Sequence, residues 1–77
     1  MKQEIVMYTL PLCPYCARAK RFLTGRGIMF VEKNILIPKN LKELRKVTNL
    51  IGVPVTIVGK QILTRFSLKE YEEVFKN

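Results

Sequence analysis

The chain has 77 residues, 48% of them apolar and 26% charged, a balance close to that of folded soluble proteins and far from disordered or collagen-like composition. At about half of a common domain length it forms one domain, residues 1–77, whose small core favours an economical alternating α/β arrangement over a large pocketed enzyme. Fourteen Lys and Arg stand against six Glu, with neither Asp nor His, for a net charge of +8; this favours acidic partners and excludes histidine-based acid–base or metal chemistry.

The N-terminus Met1-Lys2-Gln3-Glu4 runs into a short apolar segment, and the apolar stretches are too short for a membrane span or a signal-sequence core. A soluble cytoplasmic protein with no membrane partner is expected. Ile5 to Thr9 is rich in strand formers and is ended by Pro11 and Pro14, which predicts a buried strand and a short loop. From Tyr15 to Thr24, Tyr15, Cys16, Ala19, Phe22 and Leu23 recur at helical spacing, with Arg18, Lys20, Arg21 and Arg26 among the other positions. Pro14 suits the first turn of this helix, and Gly25 and Gly27 suit its end.

Ile28 to Asn34 reads as a second strand. Leu41, Leu44 and Val47 then recur every third residue in a helix from about 38 to 48, which starts two residues later if Asn40 and Glu43 form a capping box. After Gly52-Val53-Pro54, Val55 to Val58, a turn at Gly59-Lys60 and Gln61 to Thr64 predict a hairpin. Ser67 and Glu70 form a capping box for a last helix whose Leu68, Tyr71, Val74 and Phe75 share a face. The order is β-α-β-α-β-β-α, a four-stranded mixed sheet with three helices; its first two strands are parallel across a right-handed crossover.

The most informative feature is Cys13-Pro14-Tyr15-Cys16. A bridge between cysteines three positions apart ties nothing distant together and stabilises by about 2 kcal/mol at best, so stability is a weak reason for the pair. Placed where a strand gives way to a helix, the first sulfur faces the unpaired amides and the positive end of the helix dipole, which favours the thiolate, and Arg18 adds to this. Positions i and i+3 lie on neighbouring turns, close enough for a disulfide. Cys13 is thus expected to attack a substrate disulfide and Cys16, one turn inside the helix, to resolve the mixed disulfide, leaving a redox-active Cys13-Cys16 disulfide. Pro14 stiffens the ring between the sulfurs, and Tyr15 walls it.

These residues resemble the glutaredoxins of the thioredoxin superfamily over essentially the whole chain. Cys-Pro-Tyr-Cys is the characteristic glutaredoxin site, Tyr8-Thr9 lies upstream as in many glutaredoxins, and Val53-Pro54 is similar to the family's Val-Pro before the third strand. The resemblance implies a thioredoxin fold and dithiol thiol-disulfide oxidoreductase activity. It also implies a cis Pro54 facing the cysteines and a Val53 backbone that binds extended substrate.

Departures bear on the electron donor. The family's lysine three residues before the first cysteine, which meets a glutathione carboxylate, is Leu10 here. The Gly-Gly and Asp that hold the other end of glutathione correspond to Thr64-Arg65-Phe66-Ser67. Each missing charged contact is worth about 1.5–3 kcal/mol, and Arg65 or Lys60 remains to meet a carboxylate. The short length, the absent lysine and Phe66 look more like the NrdH redoxins, which are reduced by thioredoxin reductase and supply ribonucleotide reductase. Of their Trp-Ser-Gly-Phe stretch, Leu63-Thr64-Arg65-Phe66 keeps only the Phe. The chain sits between the two groups, as a monomer without a tightly bound cofactor, with protein disulfides as substrates and thioredoxin reductase or glutathione as reductant.

Other readings are weaker. Two cysteines without His cannot close a zinc site in one chain, and an iron-sulfur cluster bridged across a dimer needs glutathione as co-ligand. A basic nucleic-acid-binding module has few stacking platforms at 9% aromatic content. The basic residues of the first helix are most simply a solvated face, and Leu10, Leu12 and Tyr15 serve either loop packing or an apolar docking surface.

Overall fold

The computed structural model describes residues 4–48 and 53–75; Met1 to Gln3 and Gly52 of the Gly52-Val53-Pro54 turn lie outside the described residues. The elements are β1 (Ile5–Thr9), α1 (Pro14–Gly25), β2 (Val31–Asn34), α2 (Pro38–Val47), β3 (Val55–Val58), β4 (Gln61–Thr64) and α3 (Leu68–Val74). Their order is the one read from the sequence. The sheet runs β2-β1-β3-β4, with β1 parallel to β2, and with β3 antiparallel to both β1 and β4.

Alternation along the strands separates two cores. Met7 lies across from Glu32 on one side and Thr56 on the other, and Thr56 lies across from Leu63, so this row faces α1 and α3. There Met7, Ala19, Leu23, Val58, Leu63 and Tyr71 form a buried cluster. The ring of Tyr71 sits 4.9 Å from Phe66, 5.5 Å from Phe22 and 5.6 Å from Phe75. Edge and tilted pairs of this kind contribute about 0.5–1.5 kcal/mol each beyond the area they bury. On the opposite face Tyr8, Leu44 and Val55 form a smaller cluster, to which α2 contributes Leu44.

Local chemistry sets the boundaries. Gly27, at φ 70°, follows the end of α1, where the Gly27 N–H donates to the Thr24 carbonyl (3.0 Å) and the Ile28 N–H to that of Leu23 (2.9 Å). Because Ile28 closes the helix, residues 28–30 do not join the ladder and β2 begins at Val31, three residues later than the apolar run suggests. Ile28 and Phe30 pack against the α1/α3 core instead.

α2 starts at Pro38 without a side-chain cap. The Asn40-Glu43 capping box does not form, because the Asn40 amide donates to the Asn34 carbonyl (2.9 Å) and Glu43 is held by Lys33 (2.7 Å). At α3 the Ser67 hydroxyl accepts the Glu70 N–H (3.4 Å) as the sequence implies. Tyr71, Val74 and Phe75 join the core, while Leu68 stays exposed.

Candidate active site

β1 delivers the chain to a short loop above the end of the sheet, and α1 takes it up at Cys13. Leu12, with φ 63° and a fully solvent-exposed side chain, makes the left-handed turn between them. For a residue with a Cβ this conformation costs about 1–2 kcal/mol, and it stands directly before the first cysteine. Cys13 is the N-cap of α1, with Pro14 in the first turn, where no helical N–H is lost. Its Sγ accepts the Cys16 N–H at 3.3 Å, and its carbonyl accepts the Ala17 N–H at 3.0 Å. One helix end thus both binds the first sulfur and starts the turn that carries the second.

The two sulfurs, both free thiols, differ in environment. Cys13 is half-buried, whereas Cys16 is 1% exposed. Burial, then the hydrogen bond with Cys13, pushes the Cys16 thiol up to about 11, with the Leu10 backbone and the Lys20 cation pulling the other way. Cys16 is therefore protonated at neutral pH in the reduced state.

The Val53-Pro54 peptide bond is cis. The Cys13 thiol donates to the Val53 carbonyl at 3.8 Å, and the Pro54 carbonyl accepts the Arg65 N–H at 2.8 Å. Cys13, Val53, Pro54 and the Arg65 backbone thereby come together from segments 11 to 52 positions apart. Arg65 itself adopts φ 64°, and its side chain is exposed.

Pro14 and Tyr15 are exposed beside Cys13, and the Arg18 guanidinium lies over the Tyr15 ring, 5.6 Å from its centre. Tyr15, grouped with the apolar face of the helix on spacing, is a surface residue. Lys60 is not brought to the site. It follows Val58, which pairs with Ile5 at the end of β1 remote from the cysteines, so of the two cations weighed for a carboxylate only Arg65 is near.

A cavity of about 500 Å³ opens beside the sulfurs, walled among others by Thr9, Cys13, Cys16, Lys20 and Glu32. Glu32 Oε2 accepts the Thr9 hydroxyl at 2.8 Å and the Lys20 ammonium at 3.0 Å. Burial pushes the Glu32 carboxyl up, but the bonds from Lys20 and Thr9 prevail and hold it below the usual carboxylate range. This cluster escaped the reading of the sequence. Lys20 was legible in principle, lying four residues after Cys16 and so on the same helical face, whereas Glu32 joins it only through the strand register. Among the described residues no three His, Cys, Asp or Glu gather in a group that could hold a metal ion, and no helix is long and apolar enough to cross a membrane.

Comparison with known proteins agrees with this geometry. A glutaredoxin-like protein of the rubredoxin operon of Clostridium pasteurianum is 30% identical over 94% of this chain and 97% of its own length. The NrdH-redoxin of Escherichia coli, a glutaredoxin-like protein described by a thioredoxin-like activity profile, superposes with a TM-score of 0.82 at 25% identity, covering 96% of this chain and 97% of that one. The glutaredoxin of Archaeoglobus fulgidus shares the fold, with a TM-score of 0.84 at 23% identity over 97% of this chain and 88% of its own. The Glutaredoxin family model matches residues 5–63, and on that match the chain, with its Cys-x-x-Cys pair at the start of α1, belongs to the glutaredoxin family.

Proposed function

We propose that this protein is a dithiol reductase of protein disulfides in which Cys13 attacks and Cys16 resolves. The carrying observation is the asymmetry of the pair: Cys13 is only half-buried and its Sγ receives the Cys16 N–H at 3.3 Å, while Cys16 is fully buried and protonated one turn below. In the first step the Cys13 thiolate bonds to one sulfur of the substrate disulfide and the other sulfur leaves. In the second, Cys16 gives its proton to water and bonds to Cys13, the substrate sulfur leaves as thiolate and takes a proton from solvent, and two electrons have passed to the substrate. Val53, Pro54, Pro14 and Tyr15 surround the attacking sulfur and are the residues proposed to seat the substrate backbone, with Arg65 at the rim.

Thioredoxin reductase is the proposed electron donor. Leu10 and Thr64-Arg65-Phe66-Ser67 stand where a glutathione site would carry its lysine, glycines and Asp, and the likeness to NrdH-redoxin supports the same reading. Ribonucleotide reductase is a proposed acceptor by that likeness, and a reducing cytoplasm the proposed setting.

The test follows NADPH oxidation while the protein reduces a model protein disulfide, supplied with thioredoxin reductase or with glutathione and its reductase. Turnover with thioredoxin reductase, its loss in Cys13→Ser and the trapping of mixed disulfides by Cys16→Ser are expected. Full activity in Cys13→Ser overturns the mechanism, and turnover with glutathione alone overturns the choice of donor.

A further inference from the structure

Resolution of the mixed disulfide requires Cys16 to become a thiolate inside a largely apolar wall. The ionisable groups facing it are Cys13 from the loop, Lys20 from α1, Glu32 from β2 across the cavity and Tyr71 from α3. Tyr71 is engaged with the Thr56 hydroxyl at 2.7 Å, and burial pushes its own hydroxyl up, so it stays neutral. Glu32 is a poor proton acceptor for this thiol. Its carboxyl is held below the usual carboxylate range while the Cys16 thiol is pushed up to about 11, so the transfer runs strongly uphill. Lys20 remains.

We propose that Lys20, pinned by Glu32 and Thr9 in the cavity beside Cys16, is the positioning residue for the second half of the reaction, its ammonium stabilising the resolving Cys16 thiolate. The inference rests on the reductase reading above. A lysine on a four-carbon stem samples many positions; the 3.0 Å contact to Glu32, itself fixed by the 2.8 Å bond from Thr9, holds this one against the cavity. The other cations of α1 and its C-cap with described contacts are placed elsewhere: Arg18 lies over Tyr15, and the capping Arg26 lies over Phe22 and pairs with Glu72. In the step itself the Cys16 proton passes to water at the open cavity, the Cys16 sulfur bonds to Cys13, the bond from Cys13 to the substrate sulfur breaks, and the substrate thiolate leaves with the electron pair. Lys20 keeps its proton throughout.

Two measurements test this on the full chain. In the first, the reduced protein reacts with 5,5′-dithiobis(2-nitrobenzoate) in a stopped-flow instrument, where attack by Cys13 releases one thionitrobenzoate and resolution by Cys16 releases the second. In Lys20→Met the first release is unchanged and the second is slower by about threefold at pH 8. A rise of about one pK unit cuts the thiolate fraction tenfold while making the thiolate about three times more nucleophilic. Lys20→Arg restores the rate, and Lys33→Met, which removes a lysine from the opposite face, leaves it alone.

In the second measurement Cys13→Ser leaves Cys16 as the only thiol, and its absorbance at 240 nm is followed against pH. Adding Lys20→Met raises the midpoint by about half to one unit, whereas mere loosening of the site would hydrate the thiol and lower it. An unchanged or lowered midpoint overturns the proposal, as does an equal effect of Lys33→Met. Absence of the first thionitrobenzoate release in the wild type would instead overturn the reductase reading itself, and this one with it.

Discussion

Each face of the sheet carries a carboxylate that grips a lysine and a hydroxyl. On the α1 face Glu32 holds Lys20 at 3.0 Å and Thr9 at 2.8 Å; on the α2 face Glu43 holds Lys33 at 2.7 Å and Tyr8 at 3.4 Å. Glu32 and Lys33 are neighbours in sequence, sent to opposite faces by the pleat of β2. The chemistry is the same and the setting is not. The first cluster walls the cavity that holds both sulfurs, above a core of edge-on and tilted aromatic rings. The second lies over a thin core to which α2 contributes Leu44, with Lys39, Lys42 and Lys46 exposed beside it. An exposed ion pair stabilises little in either place, so the difference between the two clusters is one of what the lysine can act on. A charge pinned beside a buried thiol changes that thiol's chemistry, and a charge pinned over solvent does not.

The contrast between the faces is broken most directly by truncating their cores. Tyr71→Ala removes the ring at the centre of the α1/α3 cluster and the partner of Thr56, and is expected to cost about 3–5 kcal/mol in urea unfolding. Leu44→Ala is expected near the lower end for a buried leucine, about 2 kcal/mol; equal losses would show that the two faces carry the fold alike. Thr56→Val keeps the ring and strands the buried Tyr71 hydroxyl, an expected loss of about 1–3 kcal/mol by the same measurement.

Stability against pH sharpens the comparison. The Cys16 thiol is raised in the fold from its ordinary 9 to about 11, so its contribution to the reduced protein is complete below pH 9 and is lost as pH rises through 11. Cys16→Ala should flatten that alkaline limb. The two glutamates work in the other direction. Both are held below their ordinary 4.5, so their contribution is present above that pH and is lost as pH falls through their lowered values; Glu43→Gln should shallow the acid limb without altering turnover. The smallest effect expected is from Lys33→Met at pH 7, a slight and salt-sensitive change in the urea midpoint with the reductase rate unchanged. A changed rate would show that the α2 face also reaches the chemistry.

The order of elements and the position of the cysteine pair are determined by the sequence alone, because their signals act within a few residues. Pro14 after Cys13 starts a helix, Gly27 ends it, Gly59-Lys60 turns a hairpin, and Ser67 caps α3. The same local reading ran β2 three residues too far back and assigned Tyr15 and Leu68 to inner faces, since periodicity records spacing and not what lies opposite. Only the tertiary structure decided that β3 lies beside β1, that Val53 meets Cys13, that Arg65 is tied to Pro54 while Lys60 sits at the far end of the sheet, and that Lys20 and Glu32 face Cys16 across one cavity. Those contacts join residues 4 to 53 positions apart. They are settled by the register that buries whole faces of the sheet at once, and no single residue in the chain announces that register.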